Sequence, residues 1–325
     1  MTPESFVLDS VLERLAPLRA EEEGVRLAED PEYLHRMRVA TRRLRSALPL
    51  LAESVSARDL ALWSREIRRF TRALGRARDG DVQIIFIKKV IDAWEDRALR
   101  PGLERLLLRR SQRRDRLQKG LVRELDRIFR RGGALETLEE EIRRQRVAQT
   151  LGETPPEPTA LRRRGATLLL LRLEALEGGS AALGRPGDEE GHHALRILAK
   201  KLRYTLELFA PLMPPAGEAG ALLRRLKDLQ GILGDLHDCD VWIQELPLFI
   251  RDERRRTESY QGHLRGFSRI ERGLTALWQD RRREREILFS RSREMWRSWG
   301  EDRVTESFRE AFRALAGERE GGEER

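Results

Sequence analysis

The chain has 325 residues, enough for one large domain or two small ones. Charged residues make up 37% of it and hydrophobic residues 39%, which excludes both a disordered tail and a membrane protein. Its 64 basic residues outnumber its 55 acidic residues, and the resulting net charge of +9 favours a polyanionic partner.

Cysteine content and apolar runs predict the cellular compartment. The single cysteine, Cys239, cannot form an internal disulfide, which indicates a reducing environment. The apolar run at residues 168–171 is far shorter than the roughly 20 residues of a membrane span. The first residues show neither the basic segment nor the apolar core of a signal peptide. We therefore expect a cytoplasmic protein without membrane association.

Helical periodicity runs through almost the whole chain, and no alternating pattern bounded by turns indicates a strand. Residues 30–32, Asp-Pro-Glu, are typical of a helix start with Asp30 as N-cap. Residues 152–158 predict a stiff linker, residues 178–191 predict a glycine-rich loop, and Pro211 predicts a helix end. The predicted fold class is all-α.

Two sequence motifs occur twice in the same order. Residues 35–45 read HRMRVATRRLR, and residues 193–203, 158 positions later, read HALRILAKKLR. Residues 74–82, LGRARDGDV, recur 159 positions later as LGDLHDCDV at residues 233–241. Two motifs at nearly one offset indicate a duplicated helical unit. The predicted organisation is an N-terminal helical repeat at residues 1–151, a linker at 152–159 and a C-terminal helical repeat at 160–325.

The first motif of each copy predicts a helix with a narrow basic face, because residues three and four apart share one side. Apolar residues such as Met37 and Leu195 occupy the opposite side. We define the first basic stripe as His35, Arg38, Arg42 and Arg45, and the second basic stripe as His193, Arg196, Lys200 and Arg203. The helix that follows the first motif adds Arg65, Arg68, Arg69, Arg72 and Arg76; its counterpart keeps Arg224 and Lys227 but has Asp228 and Asp235 in place of Arg69 and Arg76.

A solvated helix face is the ordinary interpretation of such a stripe, but solvated faces usually mix charges of both signs. No acidic residue occurs between His35 and Arg45 or between His193 and Arg203. The guanidinium fork suits phosphate oxygens, whereas sequence-tolerant binding of nucleic acid needs aromatic platforms. Aromatic residues make up only 6% of the chain. A bare phosphate chain is therefore the predicted ligand, and nucleic acid is disfavoured.

The paired motifs resemble those of the CHAD family, the conserved histidine α-helical domain. The resemblance extends from about Ser5 to Leu315, and His35 and His193 occupy the family's histidine positions. It implies two similar, pseudo-symmetric four-helix bundles with a basic groove or pore between them. It also implies binding of inorganic polyphosphate and recruitment to polyphosphate granules, with phosphate or sulfate ions substituting for the polymer in crystals.

The predicted protein is a binding module and not an enzyme. The Glu-x-Glu-x-Lys strand motif of the triphosphate-tunnel domain, which many CHAD relatives carry, is absent from the sequence. We expect no catalytic residue, no cofactor and no bound metal. The predicted polyphosphate-binding residues are His35, Arg38, Arg42, Arg43, Arg45, Arg65, Arg68, Arg72, His193, Arg196, Lys200, Lys201, Arg203, Arg224 and Lys227.

Two alternative functions remain open at the level of the sequence. His237-Asp238 resembles the core of a helical metal-dependent phosphohydrolase, although the position matching His237 is Arg78, which cannot bind a metal. The further ligands of such a site would come from His192 or His193 and from Asp240 or Asp252. The other alternative is a basic protein associated with nucleic acid.

The second motif of each copy also predicts local structure. Gly75 and Gly234 are typical of helix ends or close contacts. The aspartates that follow are typical of N-caps and can also orient nearby arginines: Asp79, Asp81, Asp238 and Asp240. The arginines beside His35 and His193 are expected to disfavour the charged imidazolium in the free protein.

Overall fold

The computed structural model describes residues 3–151, 158–213 and 217–317. Every regular element in these ranges is an α-helix or a short 3₁₀ helix, and none is a strand. The predicted all-α fold class is therefore confirmed. Within the same ranges, no helix has the length and apolar character needed to cross a bilayer. Residues 152–157 of the predicted linker lie outside the described ranges.

The chain divides into two compact units. The first comprises Met1–Arg97 and Leu103–Pro158. A 3₁₀ helix, Leu48–Glu53, follows the third of its α-helices. The α-helices that contribute to this unit are α1 (Pro3–Ala20), α2 (Glu22–Leu27), α3 (Pro31–Ala47), α4 (Ala57–Ala93), α5 (Arg100–Ile128) and α6 (Ala134–Leu151).

The second unit comprises Ala98–Gly102 and Thr159–Arg325. Its α-helices are α7 (Pro158–Gly179), α8 (Glu189–Phe209), α9 (Gly217–Gln261), α10 (Phe267–Glu301) and α11 (Val304–Ala316), with 3₁₀ helices at Arg97–Leu99, Ser180–Gly184 and Ala210–Leu212. A Cβ atom on Gly273 of α10 would lie 2.0 Å from the Leu99 carbonyl oxygen, so only glycine permits this backbone contact. The sequence pattern did not predict this placement of residues 98–102, which depends on a contact between residues far apart in the chain.

Helices α3 and α8 begin at aspartate caps and bury one apolar side. The Asp30 carboxylate accepts a hydrogen bond from the Glu32 N–H at 2.8 Å, as the sequence predicted, and Asp188 accepts one from Gly191 at 2.9 Å. Burial of each leucine contributes roughly 1.5–3 kcal/mol, and their three- and four-residue spacing leaves the basic residues on the other side. The buried residues include Leu34, Met37, Ala40 and Leu44 of α3, and Leu195, Ala199, Leu202 and Leu206 of α8.

The second motif of each copy lies inside a long, continuous helix. Gly75 is internal to α4 and Gly234 is internal to α9. The predictions of helix ends at these glycines, and of N-caps at the aspartates after them, are therefore wrong. Apolar residues before and after Gly75, among them Leu74 and Ile87, are buried on one side of the helix. The stabilisation from their burial outweighs the cost of about 1 kcal/mol for an internal glycine.

Candidate functional site

The first basic stripe lies on α3 with its cationic groups at or near the surface. Arg45 is exposed, whereas His35, Arg38 and Arg42 are half-buried at the side of the helix. Arg43, also a predicted binding residue, is exposed next to Arg42. Arg38 approaches α4, where its Nη2 lies 3.5 Å from Asp79 Oδ1. The predicted stripe therefore exists as a surface of α3 that borders α4.

Arginines of α3 and α4 meet at the end of the first basic stripe. Partial desolvation and then the positive charges of Arg68, Arg42 and Arg72 lower the pKa of the Arg45 guanidinium. Four like charges thus lie close enough to disfavour one another. Arg68 and Arg72 of α4 thus lie near the Arg45 end of the first basic stripe.

Two other arginines of α4 are held by acidic residues. Arg69 forms a bidentate ion pair with Glu124 of α5, with nitrogen–oxygen distances of 2.7–2.9 Å. Arg65, which the sequence predicted to bind phosphate, has its Nε 3.3 Å from the Glu66 carboxylate. Both side chains are therefore less available to an external anion than Arg68 and Arg72.

His35 lies among charges of both signs. Desolvation and the cations Arg78, Arg38 and Arg42 lower the pKa of His35, and Glu32 partly opposes them. Arg78 is positioned by the Pro31 carbonyl, which accepts a hydrogen bond from its Nη1 at 3.5 Å. The sequence predicted the direction of this shift from the arginines, but burial is its largest cause.

The second basic stripe lies on α8 and borders α9. Its histidine contacts a second histidine: His193 Nδ1 and His237 Nδ1 are 3.2 Å apart, and the ring centroids are 4.4 Å apart. Desolvation, Arg196 and Lys200 lower the pKa of His193. Burial, followed by the charges of Arg196, His193 and Lys200, lowers the pKa of His237 to about 4. Both rings are therefore neutral at neutral pH.

The far end of the second basic stripe contains additional contacts. The Arg203 guanidinium lies 4.8 Å from the centre of the Tyr204 ring, and its Nε is 3.7 Å from Glu207. Lys201 is exposed, and its carbonyl accepts a hydrogen bond from Arg172 of α7 at 2.7 Å. The Arg203 side chain therefore contacts residues of its own helix. Arg172 has a structural role at this end of α8 that the sequence did not indicate.

Arg224 and Lys227 are exposed on α9. Lys227 precedes His237 by ten residues, which corresponds to about 15 Å along the helix axis. Helices α8 and α9 pack against each other, and the His193–His237 contact joins them near the start of α8. We expect the two cations of α9 to extend the second basic stripe towards Arg203.

The last aspartate of each second motif forms a buried ion pair. Asp81 Oδ1 accepts a hydrogen bond from Arg114 Nε of α5 at 2.6 Å, and Asp240 accepts one from Arg285 Nε of α10 at 2.5 Å. Burial raises the pKa of both carboxyl groups even though each faces a guanidinium. These aspartates orient arginines, as the sequence predicted, and Arg114 and Arg285 were missed because nothing in the motif points to them.

The family model for the CHAD domain matches residues 10–247. The chain belongs to the CHAD domain family. The matched range contains both basic stripes and both copies of the second motif. It ends within α9, before the Leu315 limit that the sequence resemblance suggested.

One crystal structure agrees with the fold of this CHAD domain, and two further proteins are similar to it in sequence. The crystal structure of the CHAD domain from the plant Ricinus communis has a TM-score of 0.62 and 22% sequence identity, covering 85% of this chain and 92% of that one. Two uncharacterised proteins from two strains of Mycobacterium tuberculosis are each 30% identical over 244 residues. That match covers 73% of this chain but 44% of each relative, so the chain spans less than half of their length.

The part of the chain that the structure describes does not assemble the ligand set of a metal-dependent phosphohydrolase. Among the residues with described positions, no group of three or more His, Cys, Asp or Glu side chains could hold a metal ion. His192, one proposed ligand, is buried with its Nε2 3.1 Å from the Ala182 carbonyl oxygen. His237 instead contacts His193 beside cationic neighbours.

Cys239 is buried in α9, and Arg281 Nη1 of α10 lies 3.8 Å from its sulfur. Burial raises the pKa of this thiol to about 11, with further contributions from nearby carboxylates. The side chain is therefore a neutral thiol, which does not act as a nucleophile at neutral pH.

The low pKa of His237 predicts that the free domain loses stability in mild acid. Because the folded state disfavours a proton that the unfolded chain accepts near pH 6.5, unfolding takes up a proton below that pH. The free energy of unfolding is expected to fall by about 1–2 kcal/mol from this residue between about pH 7 and about pH 5. Urea denaturation of the parent and of His237→Gln measures it. An equal loss in both proteins would contradict this prediction.

Proposed function

We propose that this CHAD domain binds inorganic polyphosphate through its two basic stripes and catalyses no reaction. The observation that carries the proposal is the cluster of Arg42, Arg45, Arg68 and Arg72. The charged groups that shift the pKa of Arg45 are all cations, so the cluster carries an electrostatic cost in the free protein. A bound polyanion would remove that cost, because its charges would separate the guanidinium groups.

The shape of each stripe favours a linear ligand. His35 and Arg45 are ten residues apart, so the first basic stripe extends about 15 Å along α3. Its arginines offer planar donor forks that suit phosphate oxygens in succession. A polymer can contact all of these groups at once, whereas a single phosphate ion reaches only a few of them.

The aromatic residues give little support to nucleic-acid binding. Trp63, Trp242 and Trp299 are buried, with 1–4% of their surface exposed, and cannot stack on bases. Tyr204, which follows the last residue of the second basic stripe, is covered by the Arg203 guanidinium. These four aromatic side chains therefore provide no open platform for bases beside the charges of the stripes. Binding to the polymer would itself recruit the domain to polyphosphate granules in the cytoplasm.

Salt dependence of binding tests the proposal. Each phosphate that is neutralised releases condensed counterions, so affinity falls with added salt. For about six neutralised phosphates on a single chain, raising the salt from about 50 mM to about 200 mM is expected to lower affinity roughly 300-fold. Fluorescence anisotropy with end-labelled long-chain polyphosphate measures this decrease.

Single-stranded DNA of matched charge is the competitor in the same assay. Polyphosphate is expected to displace the DNA from the domain, because the stripes contact phosphates and offer no aromatic side chain on which a base could stack. An affinity for polyphosphate that does not change with salt, or a preference for the DNA, would overturn the proposal.

A further inference from the structure

Arg78 and His237 occupy matching positions of the repeated second motif, three residues before the buried aspartates of the two units. Each acts on the histidine that begins the stripe of its own unit. Arg78 lowers the pKa of His35 by its charge, and His237 contacts His193 at 3.2 Å. The same place therefore holds a permanent cation in the first unit and a titratable ring in the second.

We propose that His237 is a further phosphate-binding residue of the second basic stripe, and that the His193–His237 pair takes up one proton when polyphosphate binds. This inference rests on the proposed function, since it assigns a residue and a proton to the same site. Arg78 supplies the corresponding charge in the first unit without any proton uptake.

The contact between the rings determines where the proton goes. In the neutral pair one Nδ1–H donates to the other Nδ1, so one ring has its proton on Nδ1 and the other has its proton on Nε2. The donor ring can accept a second proton on its own Nε2 and keep the contact. Protonation of the acceptor Nδ1 would place two N–H groups against each other. The pair thus gains one proton while the rings stay hydrogen-bonded, and that new Nε2–H can donate to a phosphate oxygen.

The groups around the pair explain why the proton is absent until an anion arrives. From α8, Arg196 and Lys200 disfavour a charge on either ring. On α9 itself, Asp240 favours a charge on His193, but Arg285 of α10 binds that carboxylate. Cations therefore dominate the surroundings of the pair. Phosphate oxygens would reverse the sign of the local field and provide an acceptor.

The sign of the pH dependence follows from linkage. The bound state holds more protons than the free state, so affinity rises as pH falls. One proton strengthens binding by up to about tenfold per pH unit between the pKa of the pair in the complex and its lower pKa in the free protein. The first unit lacks this contribution at the matching position, because Arg78 remains charged throughout.

Exchange of the two matched residues tests the inference on the full chain. The His237→Arg variant is expected to bind long-chain polyphosphate more tightly than the parent at about pH 8 and to show a shallower pH dependence, with the slope of log affinity against pH reduced by up to about one. Arg78→His should bind more weakly at about pH 8 and show a steeper slope. Affinities are measured between about pH 8 and about pH 5.5 at constant ionic strength.

The double variant His193→Gln/His237→Gln serves as a second His237 variant, because neither glutamine can take up the proton; it should also show the shallower slope. Circular dichroism confirms that each variant is folded. Slopes equal to that of the parent in both His237 variants would overturn the inference and leave the proposed function standing. A wrong proposed function would give a different result, because the parent protein itself would then fail to bind polyphosphate at any pH tested.

Discussion

Replacement of Arg38, Arg42 and Arg45 by glutamine in one variant is expected to lower the affinity for long-chain polyphosphate by more than about a thousandfold. Each charged hydrogen bond contributes roughly 1.5–3 kcal/mol, and three of them would be lost. The fold should persist, because these residues lie opposite the buried side of α3 and glutamine has a helix propensity close to that of arginine. Isothermal titration calorimetry measures the loss, and circular dichroism confirms the fold.

A control variant removes the same number of charges elsewhere. Arg143, Arg144 and Arg297 are exposed, and each pairs with a glutamate on its own helix. Their replacement by glutamine changes the net charge equally, so the loss of affinity should be confined to a small long-range effect. The matched variant of the second basic stripe replaces Arg196, Lys200 and Arg203. Equal losses in the stripe and control variants would show that net charge alone governs binding.

The Asp81→Ala substitution is expected to destabilise the domain by about 3–5 kcal/mol, because it leaves the guanidinium of Arg114 buried without its carboxylate. Only 11% of the Arg114 side chain is exposed, so water cannot replace the lost partner. The same reasoning applies to Asp240→Ala and Arg285 in the second unit. Chemical denaturation of the variants measures the loss.

A neighbouring aspartate provides the control for this experiment. Asp79 is two residues away, is 69% exposed and lies 3.5 Å from Arg38, so Asp79→Asn should cost less than about 1 kcal/mol. In the double variant Asp81→Leu/Arg114→Met, apolar side chains replace both charges, and most of the lost stability should return. A single Asp81→Ala variant as stable as Asp79→Asn would contradict the importance assigned to burial.

The helical fold and the two basic faces could be predicted because they depend on local order. Spacings of three and four residues determine which side of a helix is apolar, and they predicted the buried side that includes Met37 and the opposite stripe that includes Arg42. The cap at Asp30 is equally local. Continuity of α4 through Gly75 was missed, because a glycine suggests a break unless the packing on both sides of it is known.

Which cations remain available depends on contacts between residues far apart in the sequence. Arg69 and Arg68 are adjacent in the chain, yet Glu124 of α5 holds Arg69 while Arg68 joins the cluster around Arg45. The contact of His237 with His193 is likewise a property of packing between α8 and α9. Alignment of the two repeats did match His237 with Arg78, but it served only as an argument against a metal site, and His237 was not among the predicted binding residues.

The single thiol of the chain provides a means of observing motion in the second unit. Cys239 is 2% exposed and lies where α9 contacts Arg281 of α10. A thiol-reactive dye can therefore modify it only during excursions that part these two helices, and only as the thiolate. The labelling rate of the unaltered protein then reports how often α9 and α10 separate. A lower rate after polyphosphate is added would show that a ligand bound at the surface of α8 makes this separation less frequent.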